Sequence, residues 1–450
     1  MINAVPRGTR GETAMVIRHL DGTGSAELDA APVGELLAQI ATLPDLTRID
    51  VYPDITRKIW GFPSGVSTIS AGRDPIVYPM AVPDVACGFL VVATGVPATS
   101  WHFETRHRFL EALIHQIGVG SPNRAPVRID LDAVFSIGAA ALGPPTGFDD
   151  TDVVEQTTNC IPRPDLVLAP ARADLAAEAG SAAGHFVCLY AADPATTDSG
   201  VEPGEIVLVV HTGAPALREQ FFTTHVLPMA ELCVNEQLLP LDAIEQGLFG
   251  LPLSHPLASE FLSLTACSVH WGQANRQLVA DRILDLMAAH APPAIQRARL
   301  IRHVGHCSYQ VHPTAQGASV TTARGVQPLT AHRDGLAVPA PPTFITGGSH
   351  TLAYLVHPGP RAGEHGNSCP HGTPQWTPLH TPASITTSPH TRPDPARIEA
   401  VAANTSPDHD YQRRHLINLE ATITALTNLG IATPAARLAP LVNYRELRHD

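Results

Sequence analysis

A mixed α/β fold is what this sequence predicts, on three observations. The composition is globular, 44% hydrophobic and 16% charged over 450 residues, enough apolar material for a sizeable core. Short apolar runs of strand length, such as Ile49-Asp50-Val51-Tyr52 and Ile206-Val207-Leu208-Val209-Val210, recur along the chain. Between them lie longer stretches whose apolar residues recur at helical spacing.

Residues 1–50 form a polar lead-in, within which Val33 to Ile40 has a helical period, with Leu36, Leu37 and Ile40 on one side. The strand at Ile49 runs into Pro53-Asp54 and the turn-rich Gly61-Phe62-Pro63-Ser64-Gly65. Asp54 reads either as an acid that orients a ligand-bearing side chain or as a helix or turn cap. Met80 to Phe89 reads as an apolar strand ending with Asp84 and Cys87 three positions apart. A carboxylate is a hard ligand and a thiolate a soft one, so the pair suits a divalent transition metal. Gly88 would let the backbone turn close to whatever is bound. The plainer reading is a turn-capping Asp beside a small apolar Cys.

Residues 101–118 carry a helical face of Phe109, Leu110, Leu113 and Ile114, and about 120 to 165 is polar and loop-rich. Ala173 to Ala179 is a helix by propensity. It ends in a small-residue turn that enters a strand at His185-Phe186. His211-Thr212-Gly213 follows the apolar run 206–210, where site residues are often carried. A single histidine is more often a hydrogen-bonded structural residue. Leu264 to His290 is a long helix with Asn275-Arg276 in its middle. In Arg299 to Cys307, the spacing of His303 and His306 could set two imidazoles on one helical face, and a lone solvated His303 is the simpler reading of that member. Thr343 to His350 is a strand entering a Gly-rich loop, either a phosphate cradle or a hairpin to the strand at Ala353–Val356. Residues 357–399 are a long Pro/His/Gly-rich loop containing Gly366-Asn367-Ser368-Cys369-Pro370-His371-Gly372. Leu416 to Leu429 is a helix that Gly430 closes as a C-cap.

The net charge of −13 argues against non-specific coating of nucleic acid or acidic membrane. Lys58 is the sole lysine, so a phosphate-gripping lysine elsewhere is excluded. The seven cysteines, Cys87, Cys160, Cys188, Cys233, Cys267, Cys307 and Cys369, show no CxxC and no disulfide spacing. That pattern fits a reducing, cytoplasmic compartment. The first residues lack a secretory pattern, and no apolar run reaches the roughly 18 residues of a membrane span.

Taken in order, these islands resemble the RtcB family of RNA ligases. Pro53-Asp54 with Gly61 to Gly65 matches an early block. Asp84-Val85-Ala86-Cys87-Gly88 matches a metal motif, and Gly184-His185-Phe186, His211-Thr212-Gly213 and Ala274-Asn275-Arg276 match later ones. His306-Cys307, Ser368 to Gly372 and the tail from Ala436 to Tyr444 complete the series over nearly the whole chain. The resemblance implies one domain over 1–450, with mixed sheets around a metal-lined central cleft and helices outside. It implies joining of an RNA 3′-phosphate to a 5′-hydroxyl, as in tRNA splicing and RNA repair, with GTP, two Mn2+ ions and an activating protein partner. Asp84, Cys87 and His185 would hold one ion, and Cys87, His211 and His306 the other; zinc would accept the same ligands. His371 would be the nucleophile that takes the nucleotide. Phe186, Gly372, Tyr411 and Arg445 fall at nucleotide-contacting positions.

Departures gather in the nucleotide-reading shell. The family's asparagine is Gly184 here, its acid is Cys188, and its Ser-Arg-Gly is Ala214-Pro215-Ala216. Cys307 replaces an asparagine, Gln375 an arginine and Arg445 a lysine, and Thr322-Ala323-Arg324-Gly325-Val326 stands where a basic block is expected. Each lost buried partner costs about 1–3 kcal/mol. Two alternatives therefore accompany the ligase reading. One is a metal-dependent nucleotidyl or phosphoryl transferase or hydrolase on another phosphorylated substrate. The other is a non-catalytic RNA- or metal-binding paralogue.

Overall fold

Two antiparallel-rich sheets carry the molecule in the computed structural model, which describes residues 2–5, 15–20, 30–56, 61–118, 126–143, 158–182, 185–193, 199–290, 298–333, 336–338, 341–347, 352–372, 397–399 and 419–445. The mixed α/β class is the one the sequence predicts.

The smaller sheet has six strands in the order Ile2–Val5, Met15–His19, Leu46–Thr56, Ser64–Gly72, Gly317–Arg324 and Cys307–Thr314. Its one parallel pairing joins Met15–His19 to Leu46–Thr56, with the helix Ala30–Ile40 in the crossover between them. A parallel pair needs such a crossover, whereas antiparallel neighbours need only a turn. The helix buries Val33, Leu36, Leu37 and Ile40 against Ile49, Val51 and Val66 of the sheet.

The larger sheet has eight strands. Seven run in the order Arg299–Gly305, Gly88–Pro97, Glu205–Thr212, Phe186–Ala192, Ala432–Arg445, Ala353–Pro358 and Thr343–Ile345, and Arg397–Glu399 pairs with Ala432–Arg445. Its central strands are apolar on both faces because both are covered. One face meets Leu284, Met287 and Phe109; on the other, the sheet's own strands pack together, Phe89 and Val209 in one cluster with Phe344 and Leu355.

The helix expected over Leu264–His290 begins earlier, at Pro256, because proline is well placed in a first helical turn. It is not an outer helix. From Leu264 to Gln277 it is buried nearly all round, as befits a helix without a broad polar face. Its first half packs in one apolar cluster and its second half in another.

Three local expectations are corrected. Met80 to Phe89 is not one strand: a 3-10 turn spans Val82–Asp84 and the strand starts at Gly88. Arg299–Gly305 and Cys307–Thr314 are strands, so His303 and His306 do not share a helical face. The region 120–165 contains the helix Leu131–Ile137, whose first turn is capped by the Asp130 carboxylate accepting from Asp132 N at 3.0 Å and Ala133 N at 3.2 Å. Among the described residues, no helix is long and apolar enough to cross a membrane.

Candidate metal centre and nucleophile

Antiparallel pairing gathers four side chains at one rim of the larger sheet. Gly305 pairs with Gly88, Gly88 with Thr212, and His211 with Phe186. The rim therefore holds the end of one strand, the start of the next, the end of the third and the start of the fourth. Cys87 precedes its strand, His185 precedes its own, His211 is the last residue but one of its strand, and His306 follows Gly305. His211 thus lies within the strand rather than past its end. His306 is the single residue between Gly305 of the larger sheet and Cys307 of the smaller one. Its N–H donates to Cys87 O at 3.0 Å, and its carbonyl accepts from Val326 N at 2.9 Å.

Cys87 Sγ lies 3.2 Å from His185 Nε2, and potential ligand atoms of Cys87, His185 and His211 lie within 4.8 Å of one another. His306 Nε2 lies 3.0 Å from His211 Nε2. Burial, then the neighbouring His185, pushes the His211 imidazole well below its ordinary range. Burial, then His371, does the same to His306. Both rings are therefore neutral near pH 7, the form in which imidazole binds metal. Phe89 packs on both, with centroids 4.9 Å from His211 and 5.2 Å from His306. His211 Nδ1 is buried with no hydrogen-bond partner among the described residues.

The backbone is bent to make this approach. Ala86 has φ +69°, a conformation costing about 1–2 kcal/mol for a residue with a Cβ. At Gly213 a Cβ would stand 2.8 Å from Cys87 Sγ and 3.3 Å from His185 Nε2, so only glycine leaves the thiol and imidazole their space.

Asp84 is held by an arginine, while its charge still acts on His306. Arg324, 2% exposed, donates from Nε to Asp84 Oδ2 at 2.7 Å, and from Nη1 to Phe62 O at 2.6 Å. The Asp84 carboxylate is outside the three-residue cluster.

His371 faces His306 with ring centroids 4.5 Å apart. It follows the strand Ser368–Pro370, paired with Val326–Pro328, and its N–H donates to Gly325 O at 3.1 Å. Its Nδ1 lies 3.0 Å from Asp54 Oδ2, which also accepts from Gly372 N at 3.3 Å. Asp54 comes from the smaller sheet and is fully buried; burial pushes its carboxyl above the ordinary range, against the His371 contact that lowers it. The larger sheet thus supplies Cys87, His185 and His211, and the smaller sheet supplies Asp54.

Of the other positions singled out in the sequence, Phe186 packs on His211 with centroids 4.6 Å apart, and Gly372 forms an isolated bridge with Thr346. Arg445 pairs with Phe186 in the sheet ladder; its side chain, Gly184, Gly348 to Thr351, Gln375 and Tyr411 lie outside the described residues. The Arg324–Asp84 pair and the Phe89 stack were not foreseen.

The protein-family model described as tRNA-splicing ligase RtcB matches residues 36–446. The chain belongs to the RtcB family. It is 25% identical to the RNA-splicing ligase RtcB of Mycobacterium tuberculosis over 441 residues, 90% of this chain and 98% of that protein. The Mycobacterium bovis RtcB matches to the same extent. RNA-splicing ligase RtcB homolog 1 of Entamoeba dispar is 23% identical over 263 residues, 55% of this chain and 48% of that protein. The matched residues include every residue of the rim, the whole larger sheet and all but the first two strands of the smaller one.

Proposed function

We propose that the chain is an RtcB-type RNA ligase in which Cys87, His185, His211 and His306 hold divalent metal and His371 is the covalent nucleophile. One observation carries this reading: His371 faces His306 at 4.5 Å while Asp54 engages its Nδ1. The tautomer is then Nδ1–H, and Nε2 is the nitrogen left to react.

A thiolate with three imidazoles is a suitable donor set for a divalent transition metal. The short approach of His211 Nε2 to His306 Nε2 and the lone His211 Nδ1 fit rings turned toward a shared cation rather than toward protein partners. Asp84 would join the set only while sharing its carboxylate with Arg324. Manganese is the metal the family pattern implies. Divalent ions here would polarise phosphoryl oxygens and stabilise charge on the leaving group.

In the first step, His371 Nε2 bonds to the α-phosphorus of GTP, the bond to the bridging oxygen breaks, and pyrophosphate leaves. The positive charge that develops on the imidazole is shared through Nδ1–H with Asp54. An oxygen of the RNA 3′-phosphate then takes the nucleotidyl group and frees His371. Attack by a 5′-hydroxyl releases GMP, closes a phosphodiester and gives its proton to water. The relatives named as RNA-splicing ligases support RNA as the substrate, and seven free cysteines support a reducing, cytoplasmic setting.

A second reading, transfer of another nucleotide, is favoured by Cys188. The thiol in place of the family's acid donates to Asn443 Oδ1 at 3.2 Å within the sheet. The test is incubation with Mn2+ and α-labelled GTP. The ligase reading expects an acid-labile adduct, absent in His371→Ala, and joining of 3′-phosphate to 5′-hydroxyl RNA. An adduct with another nucleotide alone favours the second reading, and an adduct that survives in His371→Ala contradicts both.

A further inference from the structure

We infer that Asn275 and Arg276, adjacent on the buried helix Pro256–His290, are the positioning residues that set all four donor-bearing segments of the rim in register. The inference rests on the metal-centre reading above and assigns it a support that donor residues alone do not supply.

Arg276 Nη1 donates to Ala86 O at 2.8 Å and to Thr212 O at 2.9 Å. Those carbonyls belong to the residue before Cys87 and the residue after His211. Arg276 Nε donates to His303 Nε2 at 3.2 Å, on the strand that delivers His306. One guanidinium therefore touches the three segments carrying Cys87, His211 and His306. Asn275 takes the fourth. Its Oδ1 accepts from Gly180 N at 2.7 Å and its Nδ2 donates to Ser181 O at 3.1 Å, on the turn that leads into His185. Both side chains are essentially inaccessible, at 0% and 1% exposed.

The fit is close on both sides. A Cβ on Gly88 would stand 2.9 Å from the Arg276 guanidinium carbon, and one on Gly272 would stand 2.6 Å from Ala86 O. A cation this deeply buried is costly to desolvate, and here its hydrogen bonds run to two carbonyls and an imidazole. The planar fork spends its donors on backbone next to the donor residues, which a lysine could not reproduce. The Ala86 contact also secures the left-handed residue that turns Cys87 toward the histidines.

The two residues divide the rim, so their variants separate by spectrum. Co2+ is titrated into the full chain while the thiolate-to-cobalt absorption and the d–d bands are followed. Arg276→Lys is expected to weaken Co2+ binding by about 10- to 100-fold, the usual range for residues that orient metal donors, with loss of thiolate-band intensity. Asn275→Ala is expected to weaken binding similarly but keep the thiolate band, because only the His185 segment loses its anchor. Gly272→Ala keeps both hub side chains and crowds Ala86 O, so it should reproduce the thiolate-band loss in a folded chain. Wild-type affinity and spectrum in all three variants overturn the inference alone. A wild-type chain that shows no thiolate–cobalt band overturns the metal-centre reading on which it rests.

Discussion

Replacing Asp54 separates the two things its carboxylate does for His371. The atom facing His371 Nδ1 at 3.0 Å also accepts from Gly372 N at 3.3 Å. In Asp54→Asn the amide must turn its oxygen to that point, since its NH2 would face a backbone donor. The Nδ1–H tautomer is therefore kept, and only the negative charge opposite the developing imidazolium is lost. A hydrogen bond to a charged group contributes about 1.5–3 kcal/mol and a neutral one about 0.5–1.5, so the loss is about 1–1.5 kcal/mol, or roughly tenfold in rate. In Asp54→Ala the acceptor goes too, Gly372 N and His371 Nδ1 are both orphaned, and the ring is free to change tautomer. A further 1–2 kcal/mol or so brings the total slowing to roughly 100-fold. The assay is the single-turnover rate of nucleotide adduct formation. Equal rates for wild type and Asp54→Ala, or equal slowing by the two variants, would refute this account of Asp54.

Because burial raises the Asp54 pKa above 3.8, the wild-type adduct rate should fall as pH drops through that raised value, and Asp54→Asn should lack this limb. The same shift sets a stability sign. Stability contributed by Asp54 is present below its unfolded pKa and lost as pH rises through the folded one, so Asp54→Asn should melt higher than wild type near neutral pH in thermal unfolding. Gly213→Ala places a Cβ 2.8 Å from Cys87 Sγ; divalent-ion uptake by equilibrium dialysis should fall while the circular dichroism spectrum stays unchanged. Arg324→Met breaks the ion pair with Asp84, and denaturant unfolding should show a loss below the about 3–5 kcal/mol of a fully buried pair, because the Asp84 side chain is 31% exposed. Chelation with EDTA should lower the melting temperature of the wild type and leave Cys87→Ser nearly unaffected, since only a protein that binds the ion gains from it.

What the sequence made legible was local. The run Ile206 to Val210 announces a strand buried on both faces, and Gly430, at φ +69°, ends the helix Leu419–Asn428 as its residue type foretold. Met80 to Phe89 looks like a strand because an apolar run has no period of its own. Met80, Ala81, Val82, Val85 and Ala86 are all buried, yet they line a turn. His303 and His306 mislead for the opposite reason. A spacing of three suits a helix, but in extended chain one histidine reaches Arg276 and the other crosses between sheets. Asp54 stayed ambiguous because its partner lies 317 positions away. The role of Arg324 was hidden for the same reason, with Asp84 at a separation of 240. Arg276 looks like one polar residue in a helix because its partners sit on two strands and on the turn before a third. Ordered islands of sequence carried the site where local pattern could not.

The most direct measurement is a manganese anomalous difference map from crystals of the full chain grown with Mn2+. The account predicts a peak bounded by Cys87 Sγ, His185, His211 and His306, on the side of the rim that His371 faces. Density for manganese elsewhere, with these four side chains hydrogen-bonded only to one another, would contradict it.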